Sequence, residues 1–184
     1  MHNFNTVHVN NQPDELRIVD AQTGTVLLRL ALPEGALRDT GEWLLTAQQD
    51  DTIHWATDTG AADFTRTARR LRVTLTTPAA QATAYVSAGH LPLTCTRLLN
   101  ANTPRPYYHP EGLVVIGKRT YTPDQLDQLS AAVSHAPLRD RHPCGTELAP
   151  PYPPVHVAYG DRDLLARQLR DIARIATWYG TLHA

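Results

Sequence analysis

Arginine and tyrosine carry most of the chemistry this sequence offers. Arg66, Arg69, Arg70 and Arg72 fall within seven residues, and Arg97, Arg105, Tyr107, Tyr108, His109, Lys118, Arg119 and Tyr121 follow within twenty-five. A guanidinium pairs bidentately with phosphate or carboxylate, and a tyrosine ring stacks on an unpaired base. If these side chains share one sheet face, they form a basic surface with stacking rings, suited to single-stranded nucleic acid. The residues expected to bind it are Arg66, Arg70, Arg72, Arg105, Tyr107, Tyr108, Lys118, Arg119 and Tyr121. Charges on a wet sheet face also block edge-to-edge aggregation, a role that needs no ligand.

Other chemistries find less support. Ser87 sits in Tyr-Val-Ser-Ala-Gly rather than GxSxG, and Ser130 and Ser134 lack that motif too. Cys144 follows His142 by two residues, a spacing that rarely makes a nucleophile and its base, and thiol reactivity needs an electropositive site. His135, His142, Cys144 and His156 lie within 22 residues, but no HExxH or CxxC spacing joins them. They are the one candidate site for a metal-dependent enzyme, and no metal or cofactor is expected. Gly112 to Lys118 resembles a phosphate loop only at its ends, because Leu113-Val114-Val115-Ile116 fills its middle with strand residues. Asp50-Asp51 occupies a turn, where Asp is favoured for backbone reasons.

Composition bounds the partners. The 184 residues carry a formal net charge of −1, so no global field draws the chain to nucleic acid or anionic lipid. Hydrophobic residues are 42% and charged residues 19%, a globular balance. Lys118 is the only lysine against sixteen arginines, which suggests codon bias of a high-GC bacterium or phage. The polar N-terminus has no apolar leader region and no apolar run reaches 18 residues, so cytoplasmic location and no membrane partner are expected.

The elements that must position these side chains begin as strands. Leu16–Val19 and Thr25–Leu32 flank the turn Asp20-Ala21-Gln22-Thr23-Gly24 and predict a hairpin. Trp43–Ala47 and Thr52–Ala56 predict a second pair. The run Phe64–Thr77 reads as one long strand, with Leu71, Val73 and Leu75 inward and Arg70, Arg72 and Thr74 outward. Ala79–Ala88 fits helix or strand, and Leu91–Leu99 reads weakly as strand. Next come the strand Leu113–Ile116, a Gly117-Lys118 turn of type II′ and the return Arg119–Tyr121. Thr122 caps a helix with Pro123 at its first position and Gln125 completing a capping box. That helix runs to about His135, with Leu126, Leu129 and Val133 as its stripe.

Residues 137–154 read as an irregular proline-rich connector, and Val155–Tyr159 as an edge strand. A final helix spans 161–179, capped by Asp161 and ended by Gly180. Its stripe Leu165, Leu169, Ile172, Ala176 and Tyr179 packs on the sheet or forms the seam of a homodimer. The expected architecture is α+β: a mostly antiparallel sheet or half-open barrel over 1–121, a short helix at 123–135, the connector, and a long amphipathic helix, in one domain. The function expected is a non-enzymatic binding or assembly protein acting through protein–protein contacts, as a homo-oligomer or with another protein. The alternative is a nucleic-acid-binding accessory protein.

Overall fold

The computed structural model describes residues 5–101, 105–133, 138–142, 145–148, 156–157 and 162–183. The fold is α+β, the strand pairing among the described residues is antiparallel, and the chain forms two compact units, Met1–Leu99 and Asn100–Ala184.

In the first unit, Asn5–Asn11 (β1), Asp14–Asp20 (β2) and Val26–Ala31 (β3) make one sheet in that order. The β2–β3 turn is built by Asp20. Its carboxylate accepts the Gln22 and Thr23 amides at 2.8 and 2.9 Å, and Gly24 supplies the positive φ of 71°. Those two amides, Thr23 first, hold the Asp20 carboxyl below its usual range. β1 was not legible as a strand, because its apolar residues are only Val7 and Val9 among polar neighbours.

Ala36–Thr46 (α1) follows, and here the expectation of a strand at Trp43–Ala47 is corrected. Leu37, Thr40, Gly41 and Leu44 are buried at helical spacing. The first turn has Gly35 at its N-cap with no side-chain cap of its own; the Leu37 amide instead donates to Asp14 Oδ2 of β2 at 3.2 Å. That cap comes from 23 residues away and leaves no local signature.

Thr52–Thr57 (β4), Gly60–Thr67 (β5), Arg70–Thr76 (β6) and Gln81–Ser87 (β7) form a four-stranded meander. Phe64–Thr77, expected as one strand, is therefore a hairpin folded at Ala68-Arg69. Leu71, Val73 and Leu75 are fully buried and Arg70 and Arg72 are exposed, as the alternation required. The two sheets face each other, with β3 lying on β5, β6 and β7. They approach at β1 and β7, where Asn5 Nδ2 donates to Thr83 O at 2.8 Å. This is a half-open barrel, and Leu16, Ile18, Leu30, Phe64 and Leu71 fill it. Leu91–Leu98 (α2) closes the unit as a helix rather than the strand expected there, so the β-rich body contains two helices. It packs on α1, where Gly41 lets the helices approach: a Cβ there would stand 2.7 Å from Leu99 Cδ2.

In the second unit, Tyr107–Tyr108 (β8), Val114–Ile116 (β9) and Arg119–Tyr121 (β10) pair in the order β10–β9–β8. Gly117 turns the β9–β10 hairpin at a φ of 61°. Pro123–Val133 (α3) starts on the expected capping box: Thr122 N donates to Gln125 Oε1 at 2.9 Å, and Gln125 N to Thr122 Oγ1 at 3.2 Å. Such a cap contributes about 1 kcal/mol.

Leu138–His142 (β11), Gly145–Leu148 (β12) and His156–Val157 (β13) form a second sheet in this unit's stretch, so much of the expected connector is paired strand. Arg162–Thr181 (α4) packs against α3. Gly180, expected just past the helix, lies inside it, and a Cβ there would stand 3.3 Å from the Gly112 backbone. His135, Pro137, Cys144, Pro150–Pro154 and Asp161 lie outside the described residues. No helix among the described residues is long and apolar enough to cross a membrane.

Candidate functional site

Residues opposed across an antiparallel pair share a face, so the registers of β4–β7 define the solvent side row by row. One row holds Thr52, Thr65, Arg72 and Tyr85; the next holds His54, Asp63, Thr74 and Thr83. On the other side of Arg72 come Thr67, Arg70 and Ser87. Tyr85 is 57% exposed directly opposite Arg72. Hydroxyls tie the face together: Thr52 donates to Thr65, Arg72 Nη2 to Thr65 Oγ1 at 3.2 Å, and Thr74 and Thr83 meet at 3.1 Å.

The arginines of this unit differ in how they are used. Arg66 is only 4% exposed and lies on the inner face opposite Leu71. Its guanidinium donates to Thr67 O at 2.5 Å and Arg70 O at 3.3 Å, bracing the hairpin end, and burial pushes its pKa down. It is removed from the expected binding set because β5 and β6 are separate strands whose phases differ. Arg17 and Arg29 stand opposite each other on the outer face of the β1–β3 sheet and clamp Glu15, which is 2% exposed. Burial alone would raise the Glu15 carboxyl; the two guanidiniums outweigh it and hold the pKa low. Arg38 pairs with Glu42 at 3.3 Å. Arg70 and Arg72 differ from all of these, since neither has a carboxylate partner among the described residues.

The remaining expected residues belong to the second unit. Arg105, Tyr107, Lys118 and Arg119 are exposed there, and Tyr121 is half-buried. Tyr107 is 66% exposed and meets His109 edge-on at 5.2 Å. Tyr108 is 8% exposed and packs on the inner face in register with Val114, so it is corrected from contact residue to core residue. The helix stripe Leu165, Leu169, Ile172, Ala176 and Tyr179 is buried within the unit, where α4 packs on α3.

Pairings of catalytic type occur twice. His54 Nδ1 lies 2.7 Å from Asp63 Oδ1, and Ser87 Oγ lies 2.9 Å from His90 Nδ1. They do not combine into a triad. Three strand spacings and two rows separate them, roughly 20 Å across the sheet. His142 and His156 occupy different rows on the outer strands of the β11–β13 sheet, and no group of three metal-ligating side chains gathers among the described residues.

Fold and face together define a class: an α+β protein presenting an open, hydroxyl-rich antiparallel sheet whose outward arginines have no carboxylate partner among the described residues. No protein-family model matches the sequence, and no curated protein or solved structure is significantly similar to it.

Proposed function

We propose that this chain is a non-catalytic binding protein that docks its partner on the outer face of the β4–β7 sheet. One observation carries the reading. Arg66, Arg17 and Arg29 are committed to the fold, whereas Arg70 and Arg72 are held at the surface beside an exposed tyrosine with no carboxylate partner among the described residues. Charges placed only to guard an edge belong on edge strands. β6 is an interior strand of its sheet, hydrogen-bonded on both sides, so edge protection does not account for them. Asp63 of the same face is engaged by His54 and leaves the arginine end positive.

The partner's complementary chemistry is anionic. The test compares two double variants for binding of a 15-residue polyglutamate peptide and a 15-nucleotide single strand. Arg70→Ala with Arg72→Ala removes the pair that has no carboxylate partner among the described residues; Arg17→Ala with Arg29→Ala removes two arginines that share the Glu15 carboxylate. Loss of binding to either polyanion in the first variant and its retention in the second supports the reading. Equal effects of the two variants, or no binding of either probe to the unaltered chain, removes it.

A further inference from the structure

Resting on the docking face above, we infer that its partner is single-stranded nucleic acid, with Arg70 and Arg72 on the phosphates and Tyr85 stacked on a base. Three features of the face select this ligand over an acidic peptide. Tyr85 stands in register with Arg72 on the neighbouring strand, their Cβ atoms about 5 Å apart, while the Arg72 guanidinium reaches Thr65 on the other side of β6. A nucleotide presents a π-face and an anion at comparable separation, and a glutamate side chain presents only the anion. The ring is 57% exposed and so stands open to a stacked base.

Arg70 and Arg72 are alternate residues on β6, about 7 Å apart along the strand, and Arg69 continues the series into the turn. Positive charge therefore runs along the strand, as a backbone track requires. The backbone of Asp50 and Asp51 pairs with β5 at Arg66, Asp50 N donating to Arg66 O and Asp51 O accepting from Arg66 N, which places these two acidic residues on the β5 side of the sheet, away from β7.

The preference for a single strand follows from the ring. Stacking on Tyr85 needs an unpaired base, which a duplex keeps inside its own stack. Three arginines neutralising three phosphates give a logarithmic salt slope of about −2 for a single strand.

Fluorescence anisotropy of the full chain tests this with a labelled 15-nucleotide thymidine strand, its duplex, and the polyglutamate peptide as the anionic control. The expected result is tighter binding of the single strand than of the duplex, weakened roughly 20-fold between 50 and 200 mM salt. Arg70→Ala with Arg72→Ala should flatten the salt slope by about 1.4. Tyr85→Ala should weaken binding about tenfold and Tyr85→Phe should restore it. All three positions are exposed, and circular dichroism melts confirm that the variants fold. If the peptide binds with the same arginine dependence and the single strand does not, the nucleic-acid inference falls while the docking face stands. If duplex and single strand bind alike and Tyr85→Ala changes neither, the stacking assignment falls. If no probe responds to Arg70 and Arg72, both readings fall.

Discussion

Arg66 and Arg72 face each other in neither space nor role: Arg66 lies on the inner side of the β5–β6 hairpin in register with Leu71, and Arg72 lies on the outer side in register with Thr65. The inner guanidinium donates to the carbonyls of Thr67 and Arg70 at the part-buried hairpin end, and the outer one reaches a surface hydroxyl. Removing the inner donor leaves the Thr67 carbonyl without it, while Thr67 Oγ1 still serves Arg70 O, at a cost of about 1–3 kcal/mol. Arg66→Ala should therefore lower unfolding stability by about 2 kcal/mol, and Arg72→Ala should stay within about 0.5 kcal/mol of the parent. Urea unfolding of the two variants side by side checks this.

Glu15 couples stability to acid. Its folded pKa lies below the unfolded value of about 4.3. The unfolded chain binds its proton first as pH falls, so the contribution of the clamp is complete above that value. It is lost as pH drops through the lower folded pKa. Asp20 acts in the same direction through its turn amides. Melting temperature measured from pH 6 to pH 2 should fall more steeply for the parent than for Glu15→Gln, which has no such proton to take up.

Gly41 sets two effects against each other. Alanine would raise helix propensity by about 1 kcal/mol. Its Cβ would press on Leu99 Cδ2 and Cγ at 2.7 and 2.8 Å and on Leu98 Cβ at 3.2 Å, and both leucines are buried. Overpacking of this kind costs about 1–3 kcal/mol, so Gly41→Ala should be net destabilising by thermal melt.

Leu169 lies at the centre of the α4 stripe and is fully buried inside the second unit. Leu169→Ala should cost about 2–5 kcal/mol as a core truncation. Light scattering should record the same particle mass before and after the change, because the stripe packs within the chain rather than between copies.

The α+β class, the inward Leu71, Val73 and Leu75, the Asp20 turn and the Thr122 capping box were all legible, because each is written in contiguous residues. The features that stayed hidden depend on distant ones. α1 has Gly35 at its N-cap, and its Leu37 amide is held by Asp14 of β2, so no local cap announces a start. The hairpin inside Phe64–Thr77 turns on Ala68-Arg69, which carries neither Gly, Pro, Asn nor Asp. Missing that turn placed Arg66 on the same face as Arg70 and Arg72, an error of phase rather than of composition. Tyr85 was missed as a surface ring although Gln81, Thr83 and Ser87 share its side of the strand, because the opposing Ala82 and Ala84 are as compatible with helix as with a buried strand face.

The most direct test of the docking face is residue-resolved. Amide chemical shifts of the full chain, followed during titration with the 15-nucleotide thymidine strand, should move at Arg70, Arg72, Thr83 and Tyr85 along β6 and β7. Shifts confined instead to Tyr107, Lys118 and Arg119, or to the β1–β3 sheet, would contradict the account.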